Sequence, residues 1–226
     1  MKSLFCIVSA IGNNYGRYTY RERFDQLVES IQSIKTYSPN SDIMIFDTSY
    51  QPLPLEDLKT LRNLTNGLRM LYNSREVKKL SEFNQSLMEP NKRLIKSTGE
   101  KIAVKAILNY LITCSKHYDR IFKLTGRYVL NQFFTNVNYD NCKDRIVIHR
   151  RLEWPGGFIF PIRLWSFDYS QTNQIHLLYN RLDKDPDVIE FTMYKYITEL
   201  NIPVIELDSF IGLEGPMGFE GHFVRE

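Results

Sequence analysis

Several features that would assign the sequence to a class are missing. Its 226 residues include no run near the roughly 20 apolar residues of a membrane-spanning helix, so we expect no transmembrane segment. Neither G-x-x-x-x-G-K-[ST] nor G-x-G-x-x-G occurs, which argues against a P-loop and against a dinucleotide-binding fingerprint. The net charge of +3 is too small to indicate nucleic acid binding.

Cysteine and histidine are also scarce. The three cysteines are far apart and show no metal-binding spacing, which is typical of a reduced, cytoplasmic protein. The four histidines form no H-x-x-x-H or H-x-E pattern, which argues against a zinc enzyme. Aromatic residues, in contrast, make up 13% of the chain, more than a minimal core requires, so some rings are candidates for a binding surface.

The first half of the chain alternates strands and helices. Residues 4–10 are a continuous apolar run, typical of a strand buried on both faces. An amphipathic helix over residues 21–37 and a second apolar strand over 42–46 follow, which predicts parallel strands joined by a right-handed crossover. A helix after Pro54, a strand over 68–72 and a helix through Val77 to Leu87 continue the pattern. We therefore predict an α/β fold, with a mostly parallel sheet flanked by helices in one domain over residues 1–226.

The second half predicts more of the same elements. Strands are expected over residues 145–149, 158–165 and 202–207, and helices over 175–182 and 188–200. The glycine-rich tail over residues 212–222 is predicted to be a loop that covers a site.

The segment over residues 96–131 organises the rest. Ser97 or Thr98 is predicted to cap a helix that has Gly99 and Glu100 in its first turn, and a strand over 120–124 follows. A helix start beside Lys96 would favour an anion, although the same residues also fit a simple helix cap. Ligands of open α/β sheets lie where strands end and helices begin, so this segment is a candidate binding site.

Polar residues follow two of the predicted strands. Thr125-Gly126-Arg127-Tyr128 offers a glycine that admits close approach and an arginine fork for phosphate or carboxylate, or it is a turn with a surface arginine. Asp47 could accept hydrogen bonds from a ribose or a base, or could stabilise an Asx turn at the strand end.

Carboxylates late in the chain have two interpretations each. Glu190 opens a predicted helix, where it could act as a catalytic base or only favour the helix dipole. Asp183, Asp185 and Asp187 have the D-x-D spacing of metal ligands, but they lie in a polar loop between helices and we interpret them as solvated loop and cap residues.

Four blocks of sequence give the chain a family resemblance. It resembles small GT-A-type glycosyltransferase-like proteins of viruses, phages and bacterial polysaccharide loci, within the nucleotide-diphospho-sugar transferase superfamily. The blocks are the opening strand and loop with YRERFDQ, SIQSI and PN up to Asn40, IFDTS at residues 45–49, KSTGE at residues 96–100, and FKLTGRYVLN at residues 122–131. Glu190 and the loop over residues 212–215 also look similar, so the resemblance spans nearly the whole chain.

The resemblance implies a nucleotide-sugar donor, such as a UDP- or GDP-sugar, and a glycan or other hydroxyl acceptor. It also implies a role in polysaccharide biosynthesis in the cytoplasm of a bacterium or of a virus-infected cell. Glu190 would be the base of an inverting enzyme, with Glu214 as second choice. The implied donor-binding residues are Ser9, Ala10, Arg17, Asp47, Lys96, Gly99, Glu100, Lys123, Thr125, Gly126 and Arg127.

One departure from the family pattern concerns the metal. Most GT-A enzymes carry D-x-D where this chain has Thr125-Gly126-Arg127. The dependence on Mn²⁺ or Mg²⁺ is therefore open, and Lys123 or Arg127 could offset the diphosphate charge instead. Two other functions fit the same sheet: a sugar-nucleotide nucleotidyltransferase, for which GNNYGRYTYR is a poor basic loop, and a non-catalytic binding module.

Overall fold

The computed structural model describes residues 1–13, 16–86, 92–155, 157–208, 211–216 and 223–226. Strands in these ranges are β1 (Ser3–Ser9), β2 (Asp42–Asp47), β3 (Gly67–Met70), β4 (Arg120–Thr125), β5 (Val129–Leu130), β6 (Ile146–His149), β7 (Leu152–Trp154), β8 (Gly157–Ile159), β9 (Leu164–Asp168), β10 (Val204–Leu207), β11 (Leu213–Pro216) and β12 (Phe223–Arg225). The helices are α1 (Tyr20–Tyr37), α2 (Leu55–Leu64), α3 (Arg75–Ser86), α4 (Lys92–Thr113), α5 (Val137–Asp140), α6 (Thr172–Leu182) and α7 (Ile189–Glu199).

A central sheet of seven strands among the described residues organises the fold. Its order is β10-β6-β9-β4-β1-β2-β3. Strand β1 pairs in parallel with both β2 and β4, and β3 and β10 also pair in parallel with their neighbours. Only β9 within this sheet runs antiparallel, between β4 and β6. The carboxyl ends of β1, β2 and β4 therefore lie at one edge, where the start of β9 joins them.

Helices cover both faces of this sheet because the central strands are apolar on both faces. One face of β1, through Leu4, Cys6 and Val8, packs in a cluster with α4, α6 and α7. The other face, through Phe5 and Ile7, packs with α1 and α2. Every residue of β1 is buried, which confirms the prediction of a strand covered on both sides.

The boundaries of α1 follow from its own residues. Thr19 and Glu22 form a capping box, in which the Glu22 carboxylate accepts from Thr19 N at 2.7 Å and Thr19 Oγ1 accepts from Glu22 N at 3.3 Å. The helix buries one stripe, made of Phe24, Leu27, Ser30, Ile31 and Ile34.

Two small sheets lie outside the main one. Strands β7 and β8 form an antiparallel hairpin, and β11 pairs with both β5 and β12. Across the described ranges, no helix combines the length and the apolar character needed to cross a bilayer.

The predicted helix start at Ser97 is wrong. Helix α4 already includes Lys92, so Ser97, Thr98, Gly99 and Glu100 lie inside it. The earlier turn is held by Ile95, which is fully buried and packs with Leu80 of α3. Gly99 therefore does not offer an anion the free N–H groups of a helix start, because its N–H lies in the interior of the helix.

Two predictions for the second half are also wrong. Residues 158–165 are not one strand, since β8 ends at Ile159 and β9 begins at Leu164; Pro161 has no N–H to offer a ladder, and Phe160 N donates instead to Glu190 O at 3.1 Å. The tail is not all loop, because Leu213–Pro216 is a strand anchored by fully buried Leu213. Residues 217–222 of the predicted loop lie outside the described residues.

Candidate functional site

A first cavity opens at the carboxyl ends of β1 and β4. Its volume is about 90 Å³. Main-chain and side-chain atoms from the end of β1, from α4 and from the turn after β4 line it, and these residues include Ser9, Ala10, Gly16, Lys96, Gly99, Glu100, Thr125, Gly126 and Arg127. The structure thus brings together eight of the residues predicted to bind a donor, from three separate stretches of sequence, and Gly16 joins them from the loop after β1.

A second cavity of about 420 Å³ adjoins the first. It lies between α4, the start of α7 and residues 159–163. Four residues line both cavities and form what we call the junction: Lys96, Glu100, Thr125 and Arg127. A molecule that occupied both cavities would pass these four side chains.

The buried Lys123 contacts two of the four junction residues. Its ammonium group, only 1% exposed as a side chain, forms a buried ion pair with Glu100 Oε1 and donates to Thr125 Oγ1 at 2.9 Å and Ile162 O at 2.7 Å. Burial lowers the pKa of Lys123, and the adjacent Glu100 carboxylate opposes that shift. All three ammonium protons are donated within the protein, and Lys123 lines neither cavity. Lys123 can therefore act on a ligand only by positioning Glu100 and Thr125.

Glu190 enters the second cavity from the first turn of α7. Its Oε1 lies 3.9 Å from Lys96 Nζ. Its Oε2 is buried and has no hydrogen-bond partner among the described residues. A buried carboxylate oxygen without a partner is unusual in a folded protein, and here it stands beside a cation in a cavity.

Arg127 lines both cavities from the turn after β4. Its guanidinium lies 5.3 Å from the centroid of the Tyr128 ring, and its buried Nε lacks a partner in the described part of the chain. The guanidinium of Arg163 lies 5.8 Å from the same ring and is ion-paired with Glu226. Arg127 therefore offers a positioned, incompletely satisfied donor at the junction.

Asp47 lies behind the first cavity rather than on its surface. It is fully buried, and its carboxylate accepts from Ser9 Oγ at 2.7 Å, Ile11 N at 3.2 Å and Ser49 N at 2.9 Å. The bond from Ser49 is an Asx turn. These contacts tie the loop after β1 to the end of β2 and so shape the cavity wall at Ser9.

Three other sets of predicted residues lie apart from the junction. Glu214 is in β11, where Oε2 accepts from Asn131 Nδ2 at 3.1 Å and Arg225 Nε at 3.0 Å. Arg17 is exposed and follows Gly16 in the loop beside the first cavity. The aspartates of the loop before α7 are engaged locally: Asp183 with Lys105, and Asp185 with Asp187 N and with Tyr196.

Other residues that line the cavities were not predicted from the sequence. Arg23 lines the first cavity and donates to Ala10 O at 2.8 Å, although from the sequence it is one of several charges on an amphipathic helix. Arg163 and Phe191 line the second cavity. The sequence contains one signal for Arg163, which is the only charged residue in the apolar run over residues 158–165. Because that run was predicted to be a strand, Arg163 was not considered as a site residue.

The fold has relatives among solved structures, although no family model and no curated protein matches the sequence. The apo-form glycosyltransferase GlyE of Streptococcus pneumoniae TIGR4 superposes with a TM-score of 0.50 and 13% identity, over 89% of this chain and 44% of that one. The chain thus spans less than half the length of GlyE.

Two further structures are similar at lower scores. A glycosyltransferase involved in the glycosylation of the major capsid of PBCV-1 gives a TM-score of 0.49 and 7% identity, over 91% and 81% of the two chains. Mouse xyloside xylosyltransferase 1 gives 0.44 and 13%, over 92% and 85%. At such identities a likeness concerns the fold alone. The prediction of the fold class is confirmed: the protein has a GT-A-like α/β fold, with a mostly parallel sheet flanked by helices.

Proposed function

We propose that this protein is a glycosyltransferase that moves a sugar from a nucleotide-diphospho-sugar donor to a hydroxyl acceptor. The observation that carries the proposal is the junction, where Lys96 and Arg127 stand between two cavities with the unpartnered Glu190 oxygen beside them. The fold supports it, because GlyE, with which the chain shares that fold, is named a glycosyltransferase. Ligands of open α/β sheets also bind at this carboxyl edge.

The donor would lie across the two cavities. Its nucleoside would take the first cavity, beside Ser9, Ala10 and Gly16, and its diphosphate would reach the junction. There Lys96 supplies a point charge and Arg127 a planar fork of N–H donors, which suits phosphate oxygens. Burial of the surrounding groups strengthens these interactions relative to water. The transferred sugar would then face the second cavity.

A divalent cation does not fit the described residues. Mn²⁺ and Mg²⁺ prefer several oxygen ligands, often carboxylates. The two carboxylates that line the cavities each face a lysine: Glu100 is paired with Lys123, and Glu190 lies near Lys96. Among the described residues no three His, Cys, Asp or Glu side chains converge. We therefore propose that Lys96 and Arg127 neutralise the charge of the diphosphate, and we assign no step to a metal.

Glu190 is the proposed base of an inverting transfer. The acceptor oxygen attacks the anomeric carbon and forms the new glycosidic bond, while the bond from that carbon to the diphosphate oxygen breaks. The proton of the acceptor hydroxyl passes to the Glu190 carboxylate, and the bonding electrons leave with the nucleoside diphosphate beside Lys96 and Arg127. A base contributes about 10²- to 10⁴-fold to such a step.

Donor binding tests the first half of the proposal. UDP-, GDP-, CMP- and dTDP-sugars are screened by thermal shift, with and without Mn²⁺. A donor at 100 times its dissociation constant should stabilise the protein by about 2.7 kcal/mol. The shift should not require Mn²⁺, and Arg127→Ala should abolish it. Arg62→Ala, on the exposed side of α2, is the matched control and should keep it.

Turnover tests the second half. Glu190→Gln should bind the donor as the wild type does but transfer or hydrolyse it at least about 10²-fold more slowly. A donor shift that Arg127→Ala leaves intact would contradict the binding site. Donor binding without any cleavage of the donor would favour the non-catalytic module instead, and release of pyrophosphate from a nucleoside triphosphate and a sugar phosphate would favour the nucleotidyltransferase.

A further inference from the structure

The second cavity has two kinds of wall. Its junction side is polar, with Lys96, Glu100, Thr125 and Arg127. Most of the residues that line this cavity alone are apolar: Leu152, Ile159, Phe160, Pro161, Ile162, Val188 and Phe191. Because the junction is also where the first cavity ends, the apolar wall lies on the acceptor's side of the reaction centre.

Two polar side chains beside that wall are already engaged within the protein. Ser97 Oγ accepts from Ile189 N at 2.9 Å, and Arg163 is ion-paired with Glu226. A free sugar carries hydroxyls around its ring, and each needs a hydrogen-bond partner when it leaves water. Ile159, Phe160 and Val188 offer none from their side chains. This wall is therefore a poor site for an unsubstituted sugar and a good one for hydrocarbon.

Apolar side chains continue from the cavity to its mouth. Leu152 is 45% exposed and Phe191 is 40% exposed, and both line the cavity. Phe158, on the same hairpin as Leu152, is 36% exposed and packs against Tyr194 with ring centroids 5.3 Å apart. Phe158, Phe191 and Tyr194 also line an adjacent surface groove. Apolar side chains thus continue from the second cavity into the adjacent groove.

We propose that the acceptor is an amphiphile, in which the reacting hydroxyl belongs to a group joined to an aryl or alkyl aglycone, and that the aglycone lies in the second cavity. This inference rests on the proposed function and narrows its acceptor class. The hydroxyl would meet Glu190 at the junction, and the aglycone would contact Ile159, Phe160 and Val188. Leu152 and Phe191 would cover the part of the aglycone nearest the mouth.

Equilibrium binding tests the inference without any need for turnover. The probes are glucose, galactose and xylose, each compared with its p-nitrophenyl and octyl β-glycosides by titration calorimetry. At least one glycoside should bind about tenfold more tightly than its parent sugar, and Phe191→Ser and Leu152→Ser should remove that difference. Leu177→Ser, at an exposed leucine of α6 outside the cavity, should leave it unchanged.

Kinetics separate this inference from the function on which it rests. With the donor found by thermal shift, KM should be about tenfold lower for a glycoside than for its parent sugar, while donor hydrolysis without acceptor should be the same in wild type and Leu177→Ser. Donor hydrolysis together with equal binding and equal KM for glycosides and free sugars would overturn the amphiphile and spare the glycosyltransferase. A tight glycoside that Phe191→Ser leaves unaffected would likewise overturn it. No donor cleavage at all would overturn the function, and calorimetry would still decide the cavity's ligand.

Discussion

Among single residues, Lys123 shows best how burial decides a role. It lies in the middle of β4, and its side chain is almost completely inaccessible. From the sequence, a lysine before Thr125 was a candidate to offset a diphosphate charge. In the fold its three protons are donated to Glu100, Thr125 and Ile162 O, so none remains for a ligand. Lys123 instead fixes two of the four junction side chains.

Removal of this buried charge should be costly. Lys123→Met leaves Glu100 buried without its partner, and loss of one member of a buried pair costs about 3–5 kcal/mol. The double variant Lys123→Met/Glu100→Leu should recover much of this loss, because no unpaired charge remains. Urea unfolding of the wild type, both single variants and the double variant gives the coupling energy. Strictly additive losses would show that the two side chains do not stabilise each other.

Arg127 and Asp47 show the limits of sequence reasoning at the same scale. The residue types after β4 fitted either an anion-binding turn or a turn with a surface arginine, and Arg127 lines both cavities. Asp47 had two interpretations of equal weight, and the structure places its carboxylate on Ser9, Ile11 and Ser49. Sequence pattern could not separate the two, because a strand-end aspartate that binds a ligand and one that closes a turn have the same neighbours.

Among the elements, α4 connects the junction to the rest of the molecule. Because it begins before Ser97, its Ser97 and Lys101 face the start of α7. Ser97 Oγ accepts from Ile189 N, and Lys101 Nζ donates to Asp185 O at 2.9 Å and Asp187 O at 3.2 Å. Burial lowers the pKa of Lys101, and the nearby Asp185 opposes that shift. One helix therefore carries Lys96 and also fixes the turn that presents Glu190.

This arrangement makes Lys101 a positioning residue with a matched control on the same helix. Lys101→Met should destabilise the fold by about 1–3 kcal/mol, because it removes the two hydrogen bonds that this buried, charged donor makes to the carbonyls of Asp185 and Asp187. It should also lower kcat about tenfold or more through displacement of Glu190, with the donor dissociation constant unchanged. Lys105→Met removes an exposed pair with Asp183 and should cost about 0–1 kcal/mol. Equal effects of the two substitutions on kcat would rule out the positioning role.

Element boundaries were predictable where apolar periodicity was strong. The strands β1, β2 and β4 and the helix α1 follow directly from their apolar patterns. The start of α4 was hidden because Ser97-Thr98-Gly99 resembles a helix cap, whereas Ser97 caps α7 across space. Leu213–Pro216 was hidden because its partners, β5 and β12, are distant or short. Contacts between distant segments decided both cases, and local sequence carries no record of them.

On the scale of the whole molecule, the topology brings distant segments to one edge. The ends of β1 and β4, the interior of α4 and the start of α7 come from four parts of the chain, and all meet at the two cavities. The antiparallel β9 matters here, because its direction brings residues 160–163 to the same edge as the end of β4. The apolar wall of the second cavity is thus built largely outside the parallel half of the sheet.

The same topology predicts an uneven distribution of stability. Strands β1 and β4 have a neighbour on each side and helices on both faces, whereas β7 and β8 form a two-stranded hairpin with Leu152 and Phe158 exposed. Isolated two-stranded hairpins are marginal in water. In hydrogen exchange followed by mass spectrometry, amides of Ser3–Ser9 and Arg120–Thr125 should exchange only through global unfolding, and their rates should rise with urea accordingly.

Amides of Leu152–Trp154 and Gly157–Ile159 should exchange orders of magnitude faster and with little dependence on urea, because local opening exposes little surface. An octyl glycoside that fills the second cavity should slow this hairpin and leave β1 unchanged, since Leu152 and Ile159 line that cavity. The exposed helix α2, measured in the same digest, is the internal control for nonspecific detergent effects. Hairpin amides that are as strongly protected as those of β1 would contradict this prediction. They would show that the hairpin side of the second cavity belongs to the rigid core of the protein.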